Sequence, residues 1–126
     1  MTKIKWMLPV FLMLATSSVC AAADFDVRIT NLDGTPIVDE KGKELELTVR
    51  TVVVNALMSP PGQDETNMSG EEKLRRVDLA RRVAAKDANT QVFSSEDIAL
   101  IKKLVNRVYP SPLVVEQSWR ALETKK

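Results

Sequence analysis

The stretch SSEDIALIKKLVNRVYP, residues 94–110, decides the fold class because it combines the signals of an amphipathic helix. Ser94 is a favoured N-cap residue with an acid three positions later, and Pro110 cannot continue a helix. Between them, apolar residues recur at spacings of three and four, which places them on one helical face. These residues are Ile98, Ile101, Leu104, Val105 and Val108. The stretch therefore predicts a helix that starts after Ser94 and stops before Pro110.

Helices are also predicted on both sides of this stretch. Upstream, SGEEKLRRVDLARRVAAK (69–86) opens with Ser69 and Glu72 as a capping box. An apolar stripe follows, formed by Leu74, Val77, Leu79 or Ala80, Val83 and Ala84. Downstream, Ser111 is an N-cap candidate and Pro112 takes the first helical position. Val115, Trp119 and Leu122 then lie on one side, and we expect Trp119 to be a core residue rather than a ligand-stacking ring.

The segment TVRTVVVNALM, residues 48–58, fits two structures. Its β-branched residues could prolong a strand. However, Val49, Val52, Val53, Ala56 and Leu57 also share one helical face, with Thr48 as N-cap. We favour a helix from Val49 to Met58. The following segment, SPPGQDETNMSG (59–70), is polar and rich in proline and glycine, which predicts an exposed loop.

The region before this helix has the two-residue period of β-strands. Phe25, Val27 and Ile29 alternate with polar residues, NLDGT (31–35) is a turn sequence, and Pro36-Ile37-Val38 follows. A second reversal, DEKGK (39–43), leads to alternating Leu45 and Leu47. This pattern predicts an antiparallel β-hairpin or three-stranded meander.

The predicted fold class is therefore α+β, mainly α: an N-terminal β-hairpin or three-stranded meander followed by about four short helices. The meander is expected to close one end of the helical cluster. The predicted core is a set of apolar residues from every element: Ile29, Leu47, Val53, Leu57, Leu74, Val77, Ile98, Ile101, Leu104, Val108, Val115, Trp119 and Leu122.

Residues 1–23 have the pattern of a secretory signal peptide. Lys3 and Lys5 precede an apolar run at 7–19, and Ala21-Ala22-Ala23 provides small residues for cleavage just before Asp24. The run of 13 residues is shorter than the roughly 20 that a spanning helix needs. We expect cleavage between Ala23 and Asp24, with an uncleaved inner-membrane anchor as the alternative.

The single cysteine, Cys20, raises the alternative of a lipoprotein. A lipid-attachment site has a small residue immediately before the cysteine and a leucine-like residue three before it. Val19 and Ser17 occupy those positions and fit poorly. We expect Cys20 to be discarded with the leader. The predicted organisation is then a signal peptide at 1–23, a hairpin region at 24–47 packed with a helical domain at 48–123 as one domain, and a tail at 124–126.

The charge balance argues against a nucleic-acid partner. The chain has 18 basic and 17 acidic side chains, and two of the basic ones lie in the leader. A nearly neutral domain is not drawn to nucleic acid or to an anionic membrane by its net charge. We therefore expect a protein partner of unknown identity, no stable membrane anchor after cleavage, and a periplasmic or secreted location.

The absence of histidine restricts the chemistry. With no histidine and one cysteine in the leader, Ser-His-Asp and Cys-His catalysis and ordinary zinc sites are excluded. A calcium loop with Gly34 at its sixth position would need an acid at Ile29. Acidic residues such as Glu71 and Asp97 lie where helices begin and complement the helix dipole. We expect no enzyme activity, no cofactor and no metal; a carboxylate enzyme using Glu71 or Asp97 is the remaining alternative.

The helix at 69–86 contains the arginines Arg75, Arg76 and Arg82. An acidic residue stands four positions before each of them, so we expect ion pairs within a solvated face rather than a nucleic-acid surface. Together with Trp119, these arginines are the candidate partner surface.

Five segments resemble a group of small proteins encoded by tailed bacteriophages and prophages. They are LDGTPIVDEKGK (32–43), LEL (45–47), EEKLRRVDLARRV (71–83), EDIALIKKLV (96–105) and YPSPLVVEQSWRALE (109–123). The resemblance implies a hairpin followed by a helical bundle, and no established catalytic residues. This chain departs from that group in carrying a leader.

Two functional hypotheses follow. The first is an exported, non-enzymatic protein-binding module, for example one that acts on an envelope component. The second is an intracellular accessory of phage DNA metabolism or particle assembly, with the leader unused. The mass of the mature chain from fractionated cells would separate them.

Overall fold

A computed structural model describes residues 23–65 and 67–123 of the chain, and within them the fold is mainly helical. Four α-helices are present: α1 (Val49–Met58), α2 (Gly70–Ala84), α3 (Ser95–Val108) and α4 (Pro112–Leu122). Two short 3-10 turns, Gln63–Glu65 and Ala88–Thr90, lie in the connections. The predicted tail, and the predicted signal peptide up to residue 22, lie outside the described residues.

The predicted helix starts are confirmed. At each of the four N-termini, the predicted cap side chain accepts a hydrogen bond from the backbone N–H three residues later; the cap residues are Thr48, Ser69, Ser94 and Ser111. Pro112 opens α4, where its missing N–H costs no hydrogen bond. The segment 48–58, which could have been a strand, is helical.

The predicted strands are not formed in the described residues. Residues 24–47 contain only isolated antiparallel bridges, at Arg28–Thr48, Thr30–Pro36 and Val38–Glu44. Regular pairing cannot extend because Pro36 has no N–H to donate and because α1 begins immediately after Thr48. The two predicted reversals are present, with Gly34 and Gly42 at φ angles of 89° and 83°. The region is thus a doubly turned loop whose three segments bridge one another in pairs.

Helix α1 is the centre of the core. It packs against α2, α3 and α4, whereas α2 and α4 make no extensive contact with each other. Its buried residues are Val49, Val52, Val53, Ala56 and Leu57. Phe25 from the N-terminal segment and Phe93 from the loop before α3 are fully enclosed and meet edge to face, with ring centroids 5.5 Å apart.

Of the thirteen predicted core residues, six are buried and four more pack partly buried against the core, but Leu74 and Trp119 were assigned to it wrongly. The buried side of α2 carries Arg76, Leu79, Ala80 and Val83. Leu74 stands two residues before Arg76, about 200° around the helix, and is 66% exposed. Trp119 is 37% exposed and donates its indole N–H to the Lys102 carbonyl at 3.2 Å. Val77 is half-buried beside the core rather than inside it.

A polar network fastens the N-terminal segment to the helices. The Phe25 N–H donates to Asn89 Oδ1 at 2.8 Å, and Asn89 Nδ2 donates to Asp26 Oδ2 at 2.8 Å. Arg50 of α1 pairs with Asp26 and donates from Nε to the Val83 carbonyl at 2.9 Å. The segment therefore has a fixed path across α1 and α2.

Replacing Phe93 with alanine should lower the free energy of unfolding by about 3–5 kcal/mol, since the ring is enclosed and pairs with Phe25. Trp119→Ala should cost clearly less, because part of its indole already contacts water. Chemical denaturation of the two variants beside the parent chain measures both. Equal losses, or a larger loss at Trp119, would contradict this order.

Candidate protein-docking site

Leu32 is the most exposed large apolar side chain in the described part of the chain, with 89% of its surface accessible. It lies at the first reversal of the N-terminal region, between Thr30 and Gly34. Because it is so exposed, the Leu32 side chain contributes almost no apolar burial to the stability of the fold. Its side chain is available to a partner.

The turn that presents Leu32 is fixed by local hydrogen bonds. Asn31 N–H donates to the Thr35 carbonyl at 2.8 Å, and Gly34 N–H donates to the Asn31 carbonyl at 2.9 Å. Asp33 Oδ1 accepts from both the Thr35 N–H and the Thr35 hydroxyl, at 3.0 and 2.7 Å. These bonds stabilise the charged carboxylate and lower the pKa of Asp33. The turn is therefore preorganised.

Gln117 of α4 connects this turn to the helical body. Its side-chain oxygen accepts from the Thr30 N–H at 3.0 Å, and its side-chain nitrogen donates to the Thr30 carbonyl at 2.9 Å. Both polar groups of one backbone residue are thus held by one amide. The position of Leu32 relative to α4 follows from this contact.

A groove of about 720 Å³ lies between the turn and the N-terminal half of α4. Its apolar lining comes from Leu32, Pro112 and Leu113. The charged side chains in the lining are Glu116 and Arg120, which pair with each other across one helical turn. We call this surface, formed by the turn 30–34 and the facing residues of α4, the Leu32 groove. Its chemistry suits an apolar side chain rather than an ion.

The described residues do not assemble a metal site. Within 23–65 and 67–123, no group of three or more histidine, cysteine, aspartate or glutamate side chains could hold a metal ion. None of the helices in that part of the chain has the length and apolarity needed to cross a membrane.

The candidate surface predicted from the sequence is divided among different environments. Arg75 pairs with Asp97 at 3.0 Å, and Arg82 lies over the Phe93 ring, 4.3 Å from its centroid. Arg76 is only 5% exposed, so its guanidinium does not belong to an exposed face. Trp119 lies on α4, with Lys102 over its ring at 5.5 Å. The four residues do not form one patch.

Two of the three residues at the predicted cleavage site are described. Ala23 is buried against the core, and the Asp24 N–H donates to the Ala121 carbonyl at the end of α4, at 3.1 Å. Ala21 lies outside the described residues. Cleavage between Ala23 and Asp24 stays a prediction.

Arg76 is instead the buried centre of an ion cluster whose other members are partly exposed. It pairs with Glu65 at 2.6 Å and, as predicted, with Glu72 at 3.2 Å. Arg107 of α3 also pairs with Glu65 and donates to the Pro60 carbonyl at 3.2 Å. The hydrogen bond from Arg76 is the largest cause that lowers the pKa of Glu65 to about 2. The cluster holds the loop between α1 and α2 against α2 and α3.

Sequence reasoning missed Leu32 and Gln117 as site residues. The motif NLDGT predicted the turn correctly, and a large apolar residue inside a polar turn was the available signal for Leu32. No local signal marks Gln117, because its role depends on a backbone segment 87 residues away. A contact between residues so far apart in sequence cannot be recognised from a local sequence pattern.

Comparisons of this chain with protein-family models, with curated proteins and with solved structures found no match.

Replacing Glu65 with glutamine should destabilise the protein, because Arg76 would keep its buried charge and lose its closest partner. Since Glu72 remains, we expect a loss near the lower end of the roughly 3–5 kcal/mol typical of a broken buried pair. Glu71→Gln is the matched control. It lies exposed on α2 and should cost about 0.5 kcal/mol. Similar losses from both variants in denaturant titrations would contradict the assignment.

The same cluster predicts a specific dependence on pH. Glu65 has a pKa of about 2 in the folded chain, against 4.5 ordinarily, so its carboxylate stabilises the folded state above about pH 4.5. That contribution should be lost as the pH falls from about 4.5 towards 2. The difference in unfolding free energy between the parent chain and Glu65→Gln should therefore narrow over this interval. A constant difference would be inconsistent with the ion cluster.

Proposed function

We propose that this chain is an exported, non-enzymatic protein-binding module that docks on its partner through the Leu32 groove. The observation that carries the proposal is the exposure of Leu32 on a turn locked by its own hydrogen bonds. Single surface leucines are common in proteins. This one is held by a hydrogen-bonded turn beside Pro112 and Leu113, so a partner that buries it loses little conformational entropy in the loop.

The energetics of such contacts favour this assignment. Full burial of a leucine side chain contributes roughly 1.5–3 kcal/mol. Binding normally loses part of this gain when a mobile loop becomes ordered. Here the hydrogen bonds among Asn31, Asp33 and Thr35 already fix the loop. Most of the gain from burying Leu32 is then retained in the complex.

The lining of the Leu32 groove indicates what kind of partner segment would fit it. Glu116 and Arg120 neutralise each other, and the remaining lining residues carry no charge. An uncharged segment with a protruding apolar side chain fits this surface, with the apolar group placed against Pro112 and Leu113. A strongly charged segment would meet, in this lining, only an acid and a base that already pair with each other.

Two sequence features support export and a viral origin. The leader has the order of a cleaved signal peptide, and the domain after it contains no cysteine that could mispair in an oxidising compartment. The segments that resemble phage and prophage proteins support a phage-derived origin, while the expected location rests on the leader alone. We therefore place the partner among proteins of the cell envelope.

Site-specific photocrosslinking in cells tests the proposal. A crosslinking amino acid at Leu32 should give a defined protein adduct. The same amino acid at Lys41, which is exposed on the second turn, should not. The adduct's partner, once purified, should bind the Leu32→Ser variant at least about tenfold more weakly than the parent chain.

The melting temperature of Leu32→Ser should stay unchanged, because the side chain has almost no contact with the core. This separates loss of binding from loss of folding. Equal adducts at both positions, or equal affinity of the parent chain and Leu32→Ser, would rule out the Leu32 groove as the docking site.

A further inference from the structure

The dipeptide Asp33-Gly34 is the one place in the sequence where an aspartate is followed by glycine, and no asparagine is followed by glycine. This matters chemically because the backbone nitrogen of the next residue can attack an aspartate carboxyl. Glycine has no Cβ to shield that nitrogen, so the attack is least hindered in an Asp-Gly sequence. Both residues are exposed in the turn that carries Leu32.

The attack starts a rearrangement of the backbone in which water is the only other reactant. A bond forms between Gly34 N and Asp33 Cγ while the bond from Cγ to its hydroxyl breaks, and one water leaves with that hydroxyl and the amide proton. Water then adds to the five-membered imide. Addition at the backbone carbonyl carbon of Asp33 gives isoaspartate, in which the chain runs through Cβ and Cγ and is one carbon longer.

The reaction needs a protonated carboxyl, and the turn favours the charged one. Asp33 Oδ1 accepts hydrogen bonds from the Thr35 N–H at 3.0 Å and from the Thr35 hydroxyl at 2.7 Å. The hydroxyl first, and then the N–H, lower the pKa of Asp33. The carboxylate is therefore held on Thr35 in the form that cannot release a hydroxyl.

The reaction also needs a Gly34 nitrogen that has lost its proton. In the turn, the Gly34 N–H donates to the Asn31 carbonyl at 2.9 Å. Asn31 also contacts Thr35, because its Nδ2 donates to the Thr35 hydroxyl oxygen at 3.1 Å. That hydroxyl accepts from Asn31 and donates to Asp33, so the nucleophile and the carboxyl are held by one hydrogen-bonded network.

We propose that Asp33 is the site at which this chain isomerises spontaneously, and that the Thr35 hydroxyl controls the rate by fixing the Asp33 carboxylate. In the closed turn the reaction is slow. It proceeds when the turn opens on unfolding or when the hydroxyl is removed. Thr35 is thus a positioning residue that protects the backbone beside it.

Isomerisation would change the surface that the turn presents. The additional backbone carbon between Leu32 and Gly34 alters the spacing on which the hydrogen bonds from Asn31 to Thr35 and from Gly34 to Asn31 depend. The turn would then no longer define the position of Leu32. The proposal concerns the chemistry of the turn, so it stands whether or not Leu32 contacts a partner.

Incubation of the full chain in mildly acidic buffer, below its melting temperature, tests the proposal. Isoaspartate has the same mass as aspartate, so it is measured at each position by peptide mapping with fragmentation that distinguishes the two. The folded chain should form isoaspartate at Asp33 at least about tenfold more slowly than the same chain unfolded in urea. In the unfolded chain, Asp33 should react before any other aspartate.

Two variants isolate the role of the hydroxyl. Thr35→Val keeps the backbone N–H and the shape of the side chain, and it should isomerise about threefold or more faster than the folded parent chain. Thr35→Ser keeps a hydroxyl and is the matched control, so its rate should stay near that of the parent. Melting temperatures equal to that of the parent place the effect in the turn rather than in global stability.

Three results would overturn the proposal. They are equal rates in the folded and the urea-unfolded chain, a rate for Thr35→Val equal to that of the parent, and earlier isomerisation of another aspartate in the unfolded chain. None of them affects the crosslinking test at Leu32, and a failed crosslink leaves these rates unchanged. Failure of one proposal is therefore distinguishable from failure of the other.

Discussion

The structure depends on the burial of one short helix. Helix α1 has ten residues, too few to be stable alone in water, yet it contacts each of the other three helices. Its stability therefore comes from the five buried side chains that it places among its neighbours. Because α4 packs on it, α1 also fixes the position of the helix that lines the Leu32 groove.

Charged and polar side chains, in addition to the small apolar core, hold the segments of the fold together. Arg50 connects α1 to the N-terminal segment through Asp26 and to α2 through the Val83 carbonyl. Arg76 connects α2 to the loop between α1 and α2 through its ion pair with Glu65. In a domain without disulfides, Arg50 joins segments 24 and 33 residues away in sequence, whereas Arg76 fastens the loop that leads into its own helix. The turn that carries Leu32 is positioned by a different polar side chain, Gln117 of α4, which bonds both backbone groups of Thr30.

The sequence predicted where the helices lie better than it predicted which face of each helix is buried. The caps at Ser69, Ser94 and Ser111 act over three residues, so local reasoning located the helix starts. The orientation of α2 was harder, because a stripe through Leu74 and Val77 looked as apolar as the side that is buried. Arg76 belongs to the buried side because it pairs with Glu65, and Glu65 lies outside the helix, so no pattern within the helix marks that side. Leu32 was missed for a related reason, since its significance depends on α4.

The Gln117 amide has a further effect on how the protein behaves in a crowded compartment. An unpaired stretch of extended backbone is a template on which another chain can add a strand, and this is a common start of aggregation. At Thr30 the amide occupies both the donor and the acceptor that such a strand would use. The backbone of Thr30 is thus not available for strand addition by a neighbouring copy, although Leu32, two residues further on, is exposed. The two hydrogen bonds that hold the turn carrying Leu32 therefore also protect the adjacent backbone from strand pairing.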